Sequence, residues 1–352
     1  MDSRLPVNIL TGFLGSGKTT LLNRLLRDPA FAHCAVLINE FGEVGIDHHL
    51  VESVEGDVVL LQSGCICCTI RGDLSAAIRR LYDQRERGAI PAFTRLLIET
   101  TGLADPTPVL ATVMHDPVLQ HHFRPGNVIA TVDAVHTAGQ LERHAESRKQ
   151  IALADRLVLT KTDLSTSRSV EALTEELARF NPAAPIIVAG PDPLDADALL
   201  GQDVFGETGK IEEVGRWLRA AEQRKYFPVH RGDSNLHGDI QAFVLEPGEA
   251  IDWSVFSLWL SLLLHRHGER VLRVKGLLHV DGAETPVAIH GVQRLMHPPQ
   301  HLAHWPDGRL RSSIVFIVQG LEPERVKNSW RGFHARLTDT AVMGIEGGRA
   351  HG

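Results

Sequence analysis

The run Gly12-Phe13-Leu14-Gly15-Ser16-Gly17-Lys18-Thr19-Thr20 carries the clearest chemistry in this sequence. Its G-x-x-x-x-G-K-T spacing suits a phosphate cradle. Glycines let backbone N–H groups turn inward, Lys18 reaches the outer phosphates, and the Thr19 hydroxyl is a magnesium ligand. A helix opening at Lys18 would add its N-terminal dipole. Gly12, Gly15, Ser16, Gly17, Lys18, Thr19 and Thr20 are therefore the expected phosphate contacts. The run follows apolar Val7-Asn8-Ile9-Leu10-Thr11 and precedes a leucine-rich stretch, which is the strand-then-helix context such a cradle requires.

Two further segments read as parts of the same site. Arg95-Leu96-Leu97-Ile98-Glu99-Thr100-Thr101-Gly102 is an apolar strand ending in an acid and then a glycine. Glu99 is placed to hold the magnesium shell, and Gly102 to offer its N–H to a γ-phosphate. Thr160-Lys161-Thr162-Asp163 follows another apolar run and is similar to the guanine-reading N-K-x-D element. Asp163 would accept hydrogen bonds from guanine's ring N–H and exocyclic amino group, with the Lys161 stem covering the base. Thr160 stands where asparagine is usual; it keeps a donor but lacks the amide. Residues 39–47 have the composition of a switch segment, in which Glu40 and Glu43 could meet the magnesium, a nucleophilic water or another metal. Lys18, Glu40, Glu99 and Gly102 form the expected catalytic set.

The cysteines are the second chemical signal. Only four occur, and Cys65, Cys67 and Cys68 crowd into four positions after an apolar run. Disulfide pairing among such close neighbours is sterically awkward, so reduced thiols are expected. In extended chain Cys65 and Cys67 share a side, whereas a helical turn brings Cys65 to Cys68. Either way two thiolates are available, and a zinc site wants four donors. Glu40, Glu43 and His115 are the candidate partners from neighbouring loops. Core packing and redox chemistry remain the competing readings. Cys34 lies inside the second apolar run and reads as core.

These residues need a scaffold that brings several strand ends together. Short apolar runs at 6–11, 34–39, 58–62, 94–99, 127–132, 156–160 and 185–189 alternate with helix-like stretches at 18–28, 73–87, 134–153 and 168–180. That alternation predicts an α/β domain, a parallel sheet with helices on both faces, over 1–205. Glycines and scattered charges break the rhythm over 206–238, a linker with one expected helix at 211–224. A smaller α+β domain follows at 239–338, with strands at 240–246, 271–280, 286–291 and 312–319 and helices at 252–265 and from Pro323. The last stretch, 339–352, is expected to be disordered. At 352 residues, two domains are the default. A net charge of −7 argues against nucleic acid as a partner. The longest greasy stretch, 255–264, is about half the ~20 residues that cross a bilayer, and no leader-like opening is seen, so a cytoplasmic protein without a membrane span is expected.

Gly12 to Thr20, the acidic segment at 39–47, Gly64-Cys65-Ile66-Cys67-Cys68, Glu99 to Pro106 and Thr160 to Asp163, in that order, resemble the CobW family of P-loop GTPases over nearly the whole chain. The resemblance implies a P-loop GTPase domain joined to a CobW-type C-terminal domain. It also implies GTP hydrolysis with Mg2+, binding of Zn2+ or Co2+, and delivery of that ion to a client metalloprotein. It assigns phosphate and magnesium to Lys18 and Thr19, the catalytic side to Glu99 and Gly102, the base to Asp163, and the metal to Cys65, Cys67 and Cys68. Glu40 and Glu43 match the family's Asn-Glu-Phe-Gly-Glu segment, and relatives also read Thr-Lys-Thr-Asp at the guanine element. Two other readings stay open: a nucleotide-dependent small-molecule kinase, and a P-loop switch protein without metal delivery. Histidine is abundant, at 19, and the late ones (His230, His237, His265, His267, His297, His301 and His304) lack a repeated ligand spacing. Self-association is open.

Overall fold

The computed structural model describes residues 3–31, 33–39, 59–63, 71–190, 194–195, 199–200, 214–215, 239–248 and 250–346. The chain divides into two compact units between Gly238 and Asp239. The expected helix at 211–224, apart from residues 214–215, lies outside the described residues, as do His230 and His237.

The first unit runs β1 (Leu5–Gly12), α1 (Lys18–Leu26), β2 (Cys34–Asn39), β3 (Val59–Ser63), α2 (Arg71–Glu86), β4 (Arg95–Thr100), α3 (Thr107–His115), α4 (Leu119–His122), β5 (Phe123–Asp133), α5 (Thr137–Arg143), α6 (Ala145–Leu153), β6 (Arg156–Thr160), α7 (Ser167–Phe180) and β7 (Ile186–Val188). Its sheet has the order β3-β2-β4-β1-β5-β6-β7 with every described pairing parallel. Parallel strands need a crossover between them, and the crossovers cover both faces of the sheet. That is why β1, β4 and β6 are nearly continuous apolar runs. Leu21, Leu22, Leu25 and Leu26 of α1 form one core with Leu10, Cys34, Val36, Leu97, Ile129 and Val158 of the strands.

Three local features depart from the sequence expectation. The helix expected at 134–153 is two helices, broken at His144, whose backbone is extended (φ −122°, ψ 112°). β5 begins four residues early, at Phe123. The helices α3 and α4 were not visible in the sequence, because Pro106, Pro108 and Pro117 interrupt the periodic signal there. Pro108 falls in the first turn of α3, where its missing N–H costs nothing.

The second unit runs β8 (Ile240–Leu245), α8 (Trp253–His267), β9 (Val271–Leu278), β10 (Val287–Val292), β11 (Leu295–Met296), β12 (Gln300–His301), β13 (Ser313–Gln319) and α9 (Pro323–Glu346). Its antiparallel sheet has the order β11-β10-β9-β13-β8, with β12 added beside β10. Phe256, Trp259 and Leu263 of α8 and Val326 and Trp330 of α9 pack with Val274, Ile289 and Phe316 of the strands. Asp252 caps α8 by accepting from the N–H groups of Ser254 (2.8 Å) and Val255 (3.1 Å). Of the stretch 339–352, residues up to Glu346 continue α9, and 347–352 lie outside the described residues. Once a helix is anchored, each added residue gains a backbone hydrogen bond, and this stretch has no proline to stop it.

Candidate functional site

Parallel strands end on the same edge, so the loops after β1, β4, β5 and β6 share one end of the first unit. The phosphate loop joins β1 to α1. Gly12 has φ +141°, and a Cβ there would lie 2.2 Å from Thr131 Oγ1 and 2.6 Å from the Thr131 carbonyl oxygen. No other residue fits. Gly15 and Gly17 also take positive φ. Lys18 Nζ donates to the carbonyls of Gly12 (3.0 Å) and Phe13 (3.2 Å), which hold the ammonium over the loop. Ser16 Oγ and Thr131 Oγ1 are hydrogen-bonded at 2.6 Å, and Thr131 donates onward to the Thr11 carbonyl at 3.3 Å. The ring of Phe13 packs on His144, centroids 4.6 Å apart. Thr20 follows in the first turn of α1.

On the acidic side, Thr19 Oγ1 donates to Glu99 Oε1 at 2.9 Å. Glu99 is the penultimate residue of β4, paired with Leu10 of β1 and only 5% exposed. A hydroxyl and a carboxylate meeting at the foot of the phosphate loop are two hard oxygen donors of the kind that Mg2+ takes. Gly102 follows within three residues. A Cβ on it would come within 2.7 Å of the Leu14 backbone nitrogen and 2.8 Å of Leu14 Cα, so this segment lies directly against the phosphate loop. Gln150, buried on α6, donates to the carbonyls of Gly102 (3.1 Å) and Ala104 (3.0 Å). Lys149 beside it pairs with Asp105 at 2.7 Å.

On the opposite side, Thr160 ends β6. Its hydroxyl donates to the Ser16 carbonyl at 2.7 Å, and its methyl and Cβ lie 3.6 Å from where a Gly17 side chain would begin. Threonine thus performs the tie between the two loops with a hydroxyl where an asparagine would use its amide. Lys161 sits in the left-handed region (φ 55°, ψ 30°), at a cost of roughly 1–2 kcal/mol for a residue with a Cβ. Its Nζ donates to Asp133 Oδ2 at 2.7 Å. Asp163 is exposed in the turn Thr162–Leu164 that follows. Asp133 is 1% exposed. Burial pushes its carboxyl up, but hydrogen bonds from Lys161, His136 and the N–H groups of Val135 and His136 outweigh it and hold the group below the usual carboxylate range.

The structure therefore brings Gly12, Gly15, Ser16, Gly17, Lys18, Thr19, Thr20, Glu99, Gly102, Thr160, Lys161 and Asp163 to one edge of the sheet. His115 is exposed at the last turn of α3 and is not among the residues that converge on Lys18. Its neighbour Asp116 is fastened to α2, the helix that follows the cysteine run, through Ser75 and through Arg79 at 2.6 Å. Glu40, Glu43, Cys65, Cys67 and Cys68 lie outside the described residues. Among the described residues no three His, Cys, Asp or Glu side chains group as a metal site. Of the late histidines, His297 is buried with its ring against His290. His301 contacts Thr285, and His265 and His267 end α8. Sequence reasoning did not single out Thr131, Asp133, Gln150 or His144. A threonine and an aspartate at the end of the apolar run that closes β5 carry a signal for the first two; nothing in the sequence marked the others.

The CobW/HypB/UreG nucleotide-binding domain family matches residues 6–188. The family of the cobalamin synthesis protein cobW C-terminal domain matches residues 240–334. The chain is similar to the zinc chaperone YjiA of Escherichia coli K12, with 35% identity over 328 residues, covering 93% of this chain and 98% of YjiA. The crystal structure of the Zn(II)-bound YjiA GTPase from E. coli aligns at 30% identity with a TM-score of 0.71, covering 94% of this chain and 99% of that one. That of a Zn(II)-bound YjiA triple mutant, with one glutamate and two cysteines replaced by alanine, aligns at 31% identity with a TM-score of 0.73 over the same shares.

Proposed function

Because this chain belongs to the CobW/HypB/UreG family of nucleotide-binding proteins, we propose that it is a GTP-hydrolysing metallochaperone whose nucleotide state sets how tightly it holds a transition-metal ion. The observation that carries the nucleotide half is the convergence of Lys18, the Thr19–Glu99 pair and the Thr160–Asp163 turn on one sheet edge. In this reading Lys18 neutralises the outer phosphates, Thr19 and Glu99 serve Mg2+, and the Gly102 N–H faces the γ-phosphate. Asp163 reads guanine, and Glu40 aids catalysis from the switch segment.

The metal half rests on Cys65, Cys67 and Cys68, with Glu40, Glu43 and His115 as further donors. Soft thiolates with carboxylate or imidazole suit Zn2+ and also Co2+. The zinc-bound relatives favour zinc. The cargo passes to a client metalloprotein, in the reducing cytoplasm where free thiols persist. No described helix is long and apolar enough to cross a membrane.

Coupling requires that the metal be bound with different affinity in the GTP and GDP states, since a ligand with equal affinity for both shifts nothing. The test is zinc titration of the Mg-GTP and Mg-GDP forms against a competing chelator, with GTP and ATP compared as substrates. Equal zinc affinity in both forms removes the chaperone mechanism, and preference for ATP removes the guanine reading.

A further inference from the structure

The last residues of β5 brace both halves of the nucleotide site. Thr131 and Asp133 are two apart on a strand, so their side chains share a face. Thr131 supports the phosphate loop through Ser16 Oγ. Asp133 is paired in register with Thr160, the residue before Lys161, and the Ala134 N–H donates to the Thr160 carbonyl at 3.0 Å. Three of the four hydrogen bonds described for the Asp133 carboxylate are local, and the fourth comes from Lys161 across the sheet edge. Oδ1 accepts from the N–H groups of Val135 (2.8 Å) and His136 (3.1 Å). Oδ2 accepts from Lys161 Nζ (2.7 Å) and contacts His136 Nδ1 (3.0 Å).

We infer that Asp133 is a positioning residue for purine selection: its buried carboxylate fixes the Lys161 side chain and the left-handed backbone from which the Asp163 turn departs. Three observations carry this. The carboxylate is almost fully buried, so its ion pair with the half-buried Lys161 is shielded from water on one side. Oδ1 is committed to the backbone of the strand's own exit, so the group cannot turn to follow a moving lysine. Lys161 holds a backbone conformation that a residue with a Cβ adopts only when its surroundings impose it. In this inference Asp133 acts through Lys161, to which it is hydrogen-bonded.

The inference rests on the reading of Asp163 as the guanine contact, and the experiment separates the two. Binding of fluorescent GDP, with competition by unlabelled GDP, ADP and xanthosine diphosphate, is measured for the full chain and for Asp133→Asn, Lys161→Met, the double variant and Asp163→Asn. Asp133→Asn is isosteric and retains the Oδ1 acceptor. It should raise the Kd for GDP about tenfold while changing that for ADP less than about twofold, and Lys161→Met should do the same. The double variant should be no weaker than the worse single one, because both break one unit. Equal losses for GDP and ADP in folded variants, or losses that add in the double variant, overturn the inference. If Asp133→Asn does not fold, an unchanged GDP-to-ADP ratio in Lys161→Met overturns it equally. Asp163→Asn should move preference from GDP to xanthosine diphosphate. Failure of that shift sinks the base reading itself, whereas the shift together with an indifferent Asp133→Asn sinks only the role of Asp133.

Discussion

Single atoms decide much of the nucleotide site. The Thr160 hydroxyl is the link between the Gly12–Thr20 loop and the Thr160–Asp163 turn. Thr160→Val keeps the shape but leaves the Ser16 carbonyl short of a donor, at a cost of about 1–3 kcal/mol. In a unit of this size each kcal/mol lowers the melting temperature by roughly 2–4 °C; a thermal melt and a GDP titration should both register the loss. Gly102 presses on Leu14, so Gly102→Ala should displace one segment or the other. A misplacement of about 1 Å can cost roughly a hundredfold in rate, and steady-state GTP hydrolysis should fall by about that much. Cys34 behaves differently from a reactive thiol. Burial, only partly offset by Arg95, pushes its pKa up to about 12. It should remain unmodified by iodoacetamide at pH 8 in the native protein and react after denaturation, as peptide mapping would show. Its place in the core was legible from its position in an apolar run. The phosphate loop, Glu99, Gly102 and the Thr-Lys-Thr-Asp turn were legible because each chemistry demands fixed residue types at fixed spacing. Asp133 and Gln150 were not, because they act through contacts 28 and 48 residues away in sequence that only the folded sheet creates.

At the scale of elements, alternating apolar runs and helical stretches revealed the parallel sheet, since strands buried on both faces must be apolar throughout. What they concealed was the region between β4 and β5, where prolines and histidines obscure α3 and α4. That region is fastened by Asp116. Burial raises its carboxyl, but the Ser75 hydroxyl, the N–H groups of Leu119 and Val118 and the Arg79 guanidinium prevail and hold it far below the usual carboxylate range. A carboxylate depressed on folding contributes stability that is complete above its unfolded pKa of about 4 and is lost as pH falls toward the folded value. Urea midpoints for the native protein should therefore drop as pH is lowered from about 5 to 3. Asp116→Asn should be less stable at pH 7 and show a shallower acid slope; parallel slopes would show that Asp116 does not lock α3 to α2. Gln150 reaches from α6 to the carbonyl of Gly102 after β4, and His144, at the break between α5 and α6, packs against Phe13 of the phosphate loop.

At the scale of the molecule, a nucleotide-binding unit and an antiparallel α+β unit share one chain, and the proposed function links the nucleotide of the first to a metal cargo. The first unit supplies the nucleotide edge; the cysteine run sits in sequence between β3 and α2, two elements of that same unit. A nucleotide-dependent metal affinity is therefore the central claim, and allosteric couplings of this kind typically span about 5- to 150-fold. The most direct measurement is the zinc affinity of the wild type and of Cys67→Ser in the presence of Mg-GTP and of Mg-GDP. The account predicts affinities that differ between the two nucleotide forms of the wild type by at least about fivefold, with the difference lost in Cys67→Ser. Identical zinc affinities with GTP and GDP in the wild type would contradict it.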